Sequence, residues 1–595
     1  MTSTKSTPNT APIKPATART TNRRPNLPPT HDIGAGSMPA WLPEGRIVSN
    51  REALEDATYV LQRSGAAAIL RRVEAQKRGT KRVVSLHTAF VIFLGFKIQA
   101  PKKDFQFADI KRWADAFTPS QAKFAGLPGS WRYDHLQDAF AAVVKLLEPA
   151  ESERRVSEAG VIYALRKEWL PTLDQFVNAA VAASIPSALP PTPVQAIDST
   201  DIRSHARSRM GQKEPDPADT YRPDDSRPSR EFNHDPDEWP KKGADGRMIV
   251  GPDSQARLGW CTRTNSDGSN SFNGWDGHLL VDAGSPGLEF SVPFIRGIAV
   301  RPAGSYKAQA GIDLLDSLRD GITFQYLVAD RGYSYAKPLS WARPLKERGL
   351  VYAHDLHVAQ RRPHPSDVMP GVIWIDGTLF PDCLPKRLRT LDAFKPGMRP
   401  EAKDALIAQY DERAQWAFVP NRRYENGDIQ YKGPARAKHV RCVNYGPSAR
   451  LGERVPMTNC APGAACKCAA TKVIPRSEAE WERQEIIYGT SQWAAVYGLR
   501  NLVESANAQL KFWRGTMRQH GTCVFGTTAN TLVLMIHVIA INISLRRDAY
   551  GADVTLKTAD PRCIPPRKRR RRPARPPMHA RPGNRPRGRT SEVRA

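Results

Sequence analysis

At 595 residues the chain is too long for a single hydrophobic core, so two or three folded units with unstructured flanks are expected. An apolar fraction of 40% excludes a wholly disordered protein, and a net charge of +28 points to a polyanionic partner, most commonly nucleic acid. Residues 561–595 carry 13 Lys or Arg against one Glu and residues 1–30 carry five against none, so more than half of that charge lies in the tails.

Residues 1–44 are rich in Thr, Pro, Asn and Arg and hold too little apolar content to offset the entropy of ordering, so disorder is expected there. They contain no continuous apolar stretch of the secretory kind, and the eight Cys are too dispersed for a disulfide framework. A reducing, cytoplasmic setting is therefore expected. Helical signals begin at Ser49, where Ser-Asn-Arg-Glu makes a capping box with Glu52 before an amphipathic run to about Gln76. A second box opens at Thr118 with Pro119 and Gln121, and DFQFADIKRWADAF and YDHLQDAFAAVVKLL have helical period. Residues 45–185 are expected to form a separate all-helical domain. Its basic clusters, Arg71-Arg72 and Lys77 to Arg82, suit either solvated faces or phosphate contacts.

LPPTP marks a linker at Pro190, and VQAID after it is predicted as a short buried strand ending in Asp198. Residues 205–250 are polar and make a surface excursion. ARLGWCTRT, GHLLVDA and LEFSVPFIRGIAV follow as strands, Ala308 to Leu318 as a helix, and FQYLVAD as a buried strand ending in Asp330. A helix over Tyr335 to Arg348 and the strand LVYAHDL complete residues 190–356 as an α/β unit with a mixed sheet. Residues 357–486 mix strand-like GVIWIDGTLF and QWAFVP with a helical piece near Pro400 to Gln415 and form an insertion. The run Thr531 to Leu545 is the most apolar, but it is interrupted by His537 and Asn542 and falls short of the ~20 residues a membrane span needs. It is expected to be a buried helix closing a unit that includes residues 487–548, with the Arg-rich residues 549–595 disordered and no membrane partner.

Between Trp493 and Trp513 the sequence WAAVYGLRNLVESANAQLKFW sorts its chemistry onto one helical face. At about 100° per residue, Tyr497, Arg500, Glu504 and Lys511 fall within roughly 60° of one another, opposite Leu499, Leu502, Val503, Ala506, Leu510 and Trp513. The plain alternative is an exposed Arg500-Glu504 pair worth ~0.3–0.5 kcal/mol. Asp198 as a cap and Asp330 as the start of an Asp-x-Gly turn are the corresponding alternatives for the two strand-end acids. Asp201, Asp253 and Asp282 compete as acids but follow a polar step, a Gly-Pro turn and a different strand.

The spacing Tyr-x2-Arg-x3-Glu-x6-Lys resembles the signature of cut-and-paste insertion-sequence transposases, DDE enzymes with an RNase H-like catalytic domain. The resemblance covers roughly residues 190–356 and 490–546. It implies that Asp198, Asp330 and Glu504 hold two Mg²⁺ (or Mn²⁺) ions. It implies also that Tyr497, Arg500 and Lys511 bind phosphate near the cleaved end, with Arg518, His520, Gly521 and Thr522 continuing the pattern. The partners implied are terminal inverted repeats, target DNA and a second copy of the chain in a synaptic complex, in the nucleoid. Hard Mg²⁺ suits three carboxylates, because water and substrate phosphate complete its octahedron. A nuclease with the same core, and a non-catalytic DNA-binding descendant, are the rival functions.

Cys442, Cys460, Cys466 and Cys468 fall within 27 residues, with His439 nearby. Four thiolates could close a tetrahedral zinc site, although the spacing is not that of paired Cys-x2-Cys knuckles, and free thiols are the alternative.

Overall fold

The computed structural model describes residues 48–564 except 78, 149–153, 157–161, 165–168, 207–240, 244, 261–270, 288–290, 305–306, 396 and 519–520. Most of the 205–250 excursion and of both tails lies outside them. The chain divides into a larger unit of Ser37–Gly284, Phe290–His357 and Arg500–Ala595 and a smaller one of Ser285–Glu289 and Val358–Leu499.

The larger unit begins with helices. α1 (Asn50–Arg63) starts at the expected box, Ser49 accepting from the Glu52 N–H while Glu52 accepts the Ser49 N–H at 3.0 Å. The run expected to continue to Gln76 breaks at Gly65, whose φ of 81° turns the chain before α2 (Ala66–Ala75). α3 (Leu86–Gln99) is buried on nearly every side. α4 (Phe107–Asp115), α5 (Pro119–Ala125) with its Thr118-Gln121 box, and α6 (Tyr133–Leu147) follow. A short antiparallel pair, β1 (Arg154–Val156) and β2 (Ile162–Ala164), precedes α7 (Leu173–Ala183), which opens with a third box at Thr172. These helices share the unit with a sheet rather than forming a compact unit of their own: α7 packs on the sheet and α3 on the long apolar helix Thr527–Tyr550.

The sheet is mixed. β3 (Val194–Arg203) lies between β7 (Ser271–Gly284) and β9 (Tyr326–Ala329), and β10 (Val351–His354) pairs with β9. β4 (Lys241–Lys242) and β5 (Met248–Ile249) form a separate ribbon, whereas β6 (Arg257–Trp260) and β8 (Ile295–Pro302) both pair with β7. β7 is antiparallel to β3, β6 and β8, whereas β9 runs parallel to β3 and β10 parallel to β9. α8 (Lys307–Asp316) crosses from β8 to β9, and its Leu314 and Leu315 pack with Ile197, Leu280, Leu327 and Trp341 in the core. α9 (Arg331–Ser334) follows β9, and over Tyr335–Arg348, where one helix is expected, there are a 3-10 turn, Pro338–Ser340, and α10 (Ala342–Glu347). Pro338 and Pro344 lack the N–H that a continuous helix needs.

The smaller unit contains two antiparallel three-stranded sheets. β11 (His364–Pro365), β12 (Val372–Ile375) and β13 (Thr378–Pro381) form one, in which Asp376 and Gly377, with φ of 48° and 72°, make the two-residue turn of the β12–β13 hairpin. α11 (Lys386–Arg389) and α12 (Pro400–Ala414) lead to β14 (Val419–Arg423) and β15 (Ile429–Lys432). After α13 (Gly446–Ala449), β16 (Thr471–Ile474) completes the second sheet, and α14 (Ser491–Tyr497) ends the unit.

Back in the larger unit, α15 (Asn501–Ala508) leads into a π-helical turn, Gln509–Trp513, and then α16 (Thr527–Tyr550). α16 has 24 residues where about 15 are expected, and it is long and apolar enough by length and composition to cross a membrane. In this fold 94% of its apolar window is buried, and both polar interruptions have partners: His537 Nδ1 lies 2.9 Å from the Val533 carbonyl oxygen, and Asn542 pairs with β8. Asn542 of α16 accepts the Ile295 N–H at 3.0 Å and donates to the Ile295 carbonyl at 2.9 Å. Asn178 of α7 does the same for Ile298, at 2.8 and 3.0 Å. The two amides thus pair backbone groups of β8 at successive outward positions, and both are buried. Asn542→Leu strands a buried N–H and C=O, so it should lower stability by about 2–5 kcal/mol in urea unfolding. A loss under ~1 kcal/mol would show that β8 does not rely on the amide.

Candidate active site

Ile197 of β3 and Ala329 of β9 are the last registered pair of those parallel strands. The next residue on each chain is an aspartate, so Asp198 and Asp330 are neighbours. Burial first, and the negative charge of Asp330 second, push the Asp198 carboxyl up to about 6, against opposing fields from Arg500 and Lys307. The expected strand VQAID stops at Asp198, but β3 continues to Arg203, because the 14-residue β7 pairs with it as far as Gly274 opposite Arg203. Asp198 marks where β9 ends, not where β3 ends.

Asp330 caps α9 by accepting the Gly332 N–H at 2.8 Å. The Asp-x-Gly turn is thus present and coexists with the approach to Asp198. A Cβ at Gly332 would lie 3.0 Å from Asp330 Oδ1 and 3.2 Å from Lys307 Cδ, so a side chain there would crowd both groups.

The helical run from Trp493 to Trp513 is not one α-helix. It passes from α14 through a 3-10 turn, Gly498–Arg500, to α15 and the π turn, so a uniform 100° step does not hold. Val503, Ala506 and Leu510 are buried as expected, whereas Trp513, expected on the packed face, is exposed. Tyr497 belongs to the smaller unit, where its ring stacks on Trp493 at 4.5 Å. α15 packs on β3 and β7. Arg500 Nη1 donates to Glu504 Oε1 at 2.6 Å, with the side chains 19% and 57% exposed. Arg500 therefore holds Glu504 while its charge is felt by Asp198. Among the described residues, Asp198, Asp330 and Glu504 do not bring three carboxylates within ligand distance of one another. The two aspartates are neighbours, and Glu504 is held by Arg500, whose charge reaches Asp198.

Lys511 is ion-paired with Asp201, which also accepts from Arg203 Nε at 2.9 Å. Burial opposes ionisation of Asp201, but the two cations outweigh it and hold this carboxyl below its usual range. Arg518 is exposed and Thr522 pairs with Phe105, while His520 lies outside the described residues.

Four further groups crowd this end of the sheet. Asp276, opposite Asp201 on β7, accepts the Gly304 N–H at 2.8 Å, and its carboxyl is raised by burial despite the Lys307 charge. His278 Nδ1 lies 2.7 Å from the Tyr333 oxygen. Burial, then the Lys307 and Arg301 charges, lower His278 to about 3, while burial and the Asp198, Asp330 and Asp276 charges raise the Tyr333 phenol. Both are neutral near pH 7, so a single proton joins them, and the tautomer of His278 sets which of the two donates. The alternation Asp276, His278 within an apolar strand was a period-two signal for the pair, but nothing in sequence joins them to Tyr333 or Lys307.

In the smaller unit, the Sγ atoms of Cys442, Cys460, Cys466 and Cys468 all lie within 4.8 Å of one another, a set that could hold a metal ion. His439 is not in it.

No protein-family model matches the chain, and no curated protein matches it.

A carboxyl raised on folding binds its proton over a pH range where the unfolded chain has lost it, so Asp198 destabilises the fold increasingly as pH climbs from 3.8 through about 6. With divalent cations chelated, Asp198→Asn should be more stable than the parent at pH 7.5 by on the order of 1–3 kcal/mol, the gain shrinking toward pH 4. Urea titrations across that range check this; a gain independent of pH would contradict the shift.

Proposed function

We propose that this chain is a DDE transposase that nicks DNA at the ends of its element and joins the resulting 3′-hydroxyl to target DNA. The observation that carries the proposal is the Asp198-Asp330 pair at adjacent parallel strands, with Glu504 on α15 tied to it through Arg500. The sheet supports it: three antiparallel strands in sequence, β3, β7 and β8, then β9 and β10 parallel to β3, is the arrangement an RNase H-like domain calls for. The Tyr497, Arg500, Glu504, Lys511 spacing supports it independently.

The donor set suits Mg²⁺ or Mn²⁺. Two adjacent carboxylates, one of them raised in pKa by burial and then by the other's charge, are hard oxygen ligands whose mutual repulsion a divalent cation relieves. Asp198 and Asp330 would hold the ions, with Glu504 joining them if it exchanges Arg500 for metal; bound there, such ions activate the attacking oxygen and stabilise the leaving one. Arg500, freed from Glu504, gains a DNA phosphate as its anion, the bidentate geometry a guanidinium favours. Lys307 places a second cation beside the aspartates. Lys511, paired with Asp201, anchors the helical run to β3. DNA ends, target DNA and a second copy of the chain are the partners in this proposal, with the nucleoid as its setting.

The test uses the full chain, Mg²⁺, DNA carrying the repeats that flank its reading frame, and a plasmid target. Nicking followed by joining is expected. Asp198→Asn, Asp330→Asn and Glu504→Gln should bind the ends yet lose nicking by about a thousand-fold, roughly 4 kcal/mol, with double variants scarcely worse. Breaking an exposed ion pair costs under ~1 kcal/mol, so Glu504→Gln nicking within a few-fold of the parent would sink the assignment. Cleavage without joining would mark a nuclease, and binding without cleavage a DNA-binding protein.

A further inference from the structure

The smaller unit contains a stretch that its secondary structure does not explain. Between Lys432, the end of β15, and Thr471, the start of β16, the only regular element is the single-turn α13, with one isolated bridge between Arg441 and Met457. A loop of that length inside a compact unit needs some other constraint. The four cysteines of the cluster all belong to it. Cys442 and Cys468 are buried against Phe380, Leu388, Trp416 and Val440, while Cys460 and Cys466 are partly exposed and open a path from solvent.

The geometry is that of a closed tetrathiolate. Four sulfurs about 2.3 Å from a common centre in a tetrahedron stand about 3.8 Å apart. Cys442 and Cys466 Sγ are 3.5 Å apart, Cys460 and Cys468 Sγ are 3.5 Å apart, and all four lie within 4.8 Å of one another. The surroundings hold these thiols in place. Asn444 Nδ2 donates to Cys466 Sγ at 3.5 Å and to the Ala461 carbonyl at 2.9 Å, and Asn444 Oδ1 accepts the Gly463 N–H at 2.8 Å, so one amide shapes the loop that presents Cys460 and Cys466. Gly433 lets the chain pass against Cys468, since a Cβ there would meet the Cys468 carbonyl oxygen at 2.3 Å. The Ala435 N–H then donates to that oxygen at 2.9 Å. A fifth thiol, Cys383, comes from outside the loop and touches Cys468 at 3.2 Å, but it is not one of the mutually close four.

We propose that Cys442, Cys460, Cys466 and Cys468 bind one Zn²⁺ as four thiolates, and that this ion fixes residues 433–470, with Cys383 as a neighbouring thiol and not a ligand. Binding releases the thiol protons to solvent, with no redox step. Four ligands from one loop close the coordination sphere, which makes the ion structural. The inference goes beyond the DNA chemistry proposed above and stands or falls without it.

The full chain, purified under reducing conditions without chelator, should contain one zinc per molecule, and Co²⁺ exchanged for it should give the visible ligand-field bands of tetrahedral tetrathiolate cobalt. Cys383→Ser should keep the metal, whereas Cys466→Ser should lose it and raise proteolytic cleavage within residues 433–470 while the larger unit stays protected. Chelator treatment of the parent should produce the same local cleavage, which keeps the test valid if Cys466→Ser fails to fold. A reduced parent chain that takes up neither zinc nor cobalt would overturn the site. Loss of zinc from Cys383→Ser as complete as from Cys466→Ser would overturn the ligand assignment, and a chelated chain no more cleavable than the loaded one would overturn the structural role.

Discussion

The position of β3 between an antiparallel neighbour and a parallel one is the constraint on which the rest of the larger unit depends. Pairing with β7 carries β3 through to Arg203, while pairing with β9 stops after Ile197 and Ala329. The step between those two lengths leaves Asp198 next to Asp330, with one side of β3 no longer covered by a strand. Parallel pairing requires a crossover, and α8 supplies it, bringing Lys307 to the same end of the sheet. The carboxylates are held together by backbone register, not by attraction, and burial first, with the charge of Asp330 second, keeps the Asp198 carboxyl raised.

A like-charge pair of this kind is costly in a purely structural role and useful where a cation binds. Two cations of the helical run are divided between acids. Arg500 is hydrogen-bonded to Glu504 while its charge reaches Asp198, and Lys511 is committed to Asp201. The helical run carrying them changes from 3-10 to α to π over sixteen residues, Gly498 to Trp513. Such changes in winding set which way each side chain points, and π turns recur at functional sites.

Much of this was legible in sequence where the signal is local. The capping boxes at Ser49 and Thr118 begin helices because their hydrogen bonds close within three residues. The strands bearing Asp198 and Asp330 were visible as apolar runs, but their relative length depends on partners far along the chain, so the end of β3 was misplaced. The same limit hid the Asn178 and Asn542 clamps, which join α7 and α16 to β8. It also hid the union of helices and sheet in one unit, and the links of Lys307, His278 and Tyr333 to the aspartates. Periodicity placed Tyr497, Arg500, Glu504 and Lys511 on one face, but Gly498 and the π turn disturb the winding. For the cysteines, spacing argued against paired knuckles while the fold gathers them by turns that no spacing rule encodes.

In the proposed function Asp198 and Asp330 together hold a divalent cation. Binding of Mn²⁺ to the full chain, followed by the loss of the free-ion electron paramagnetic resonance signal in the absence of DNA, tests it without any assumption about substrate. Saturable binding that is abolished by Asp198→Asn and by Asp330→Asn, but retained in Asp253→Asn, is the predicted result. Binding of equal affinity in the parent and in both aspartate variants would contradict the account.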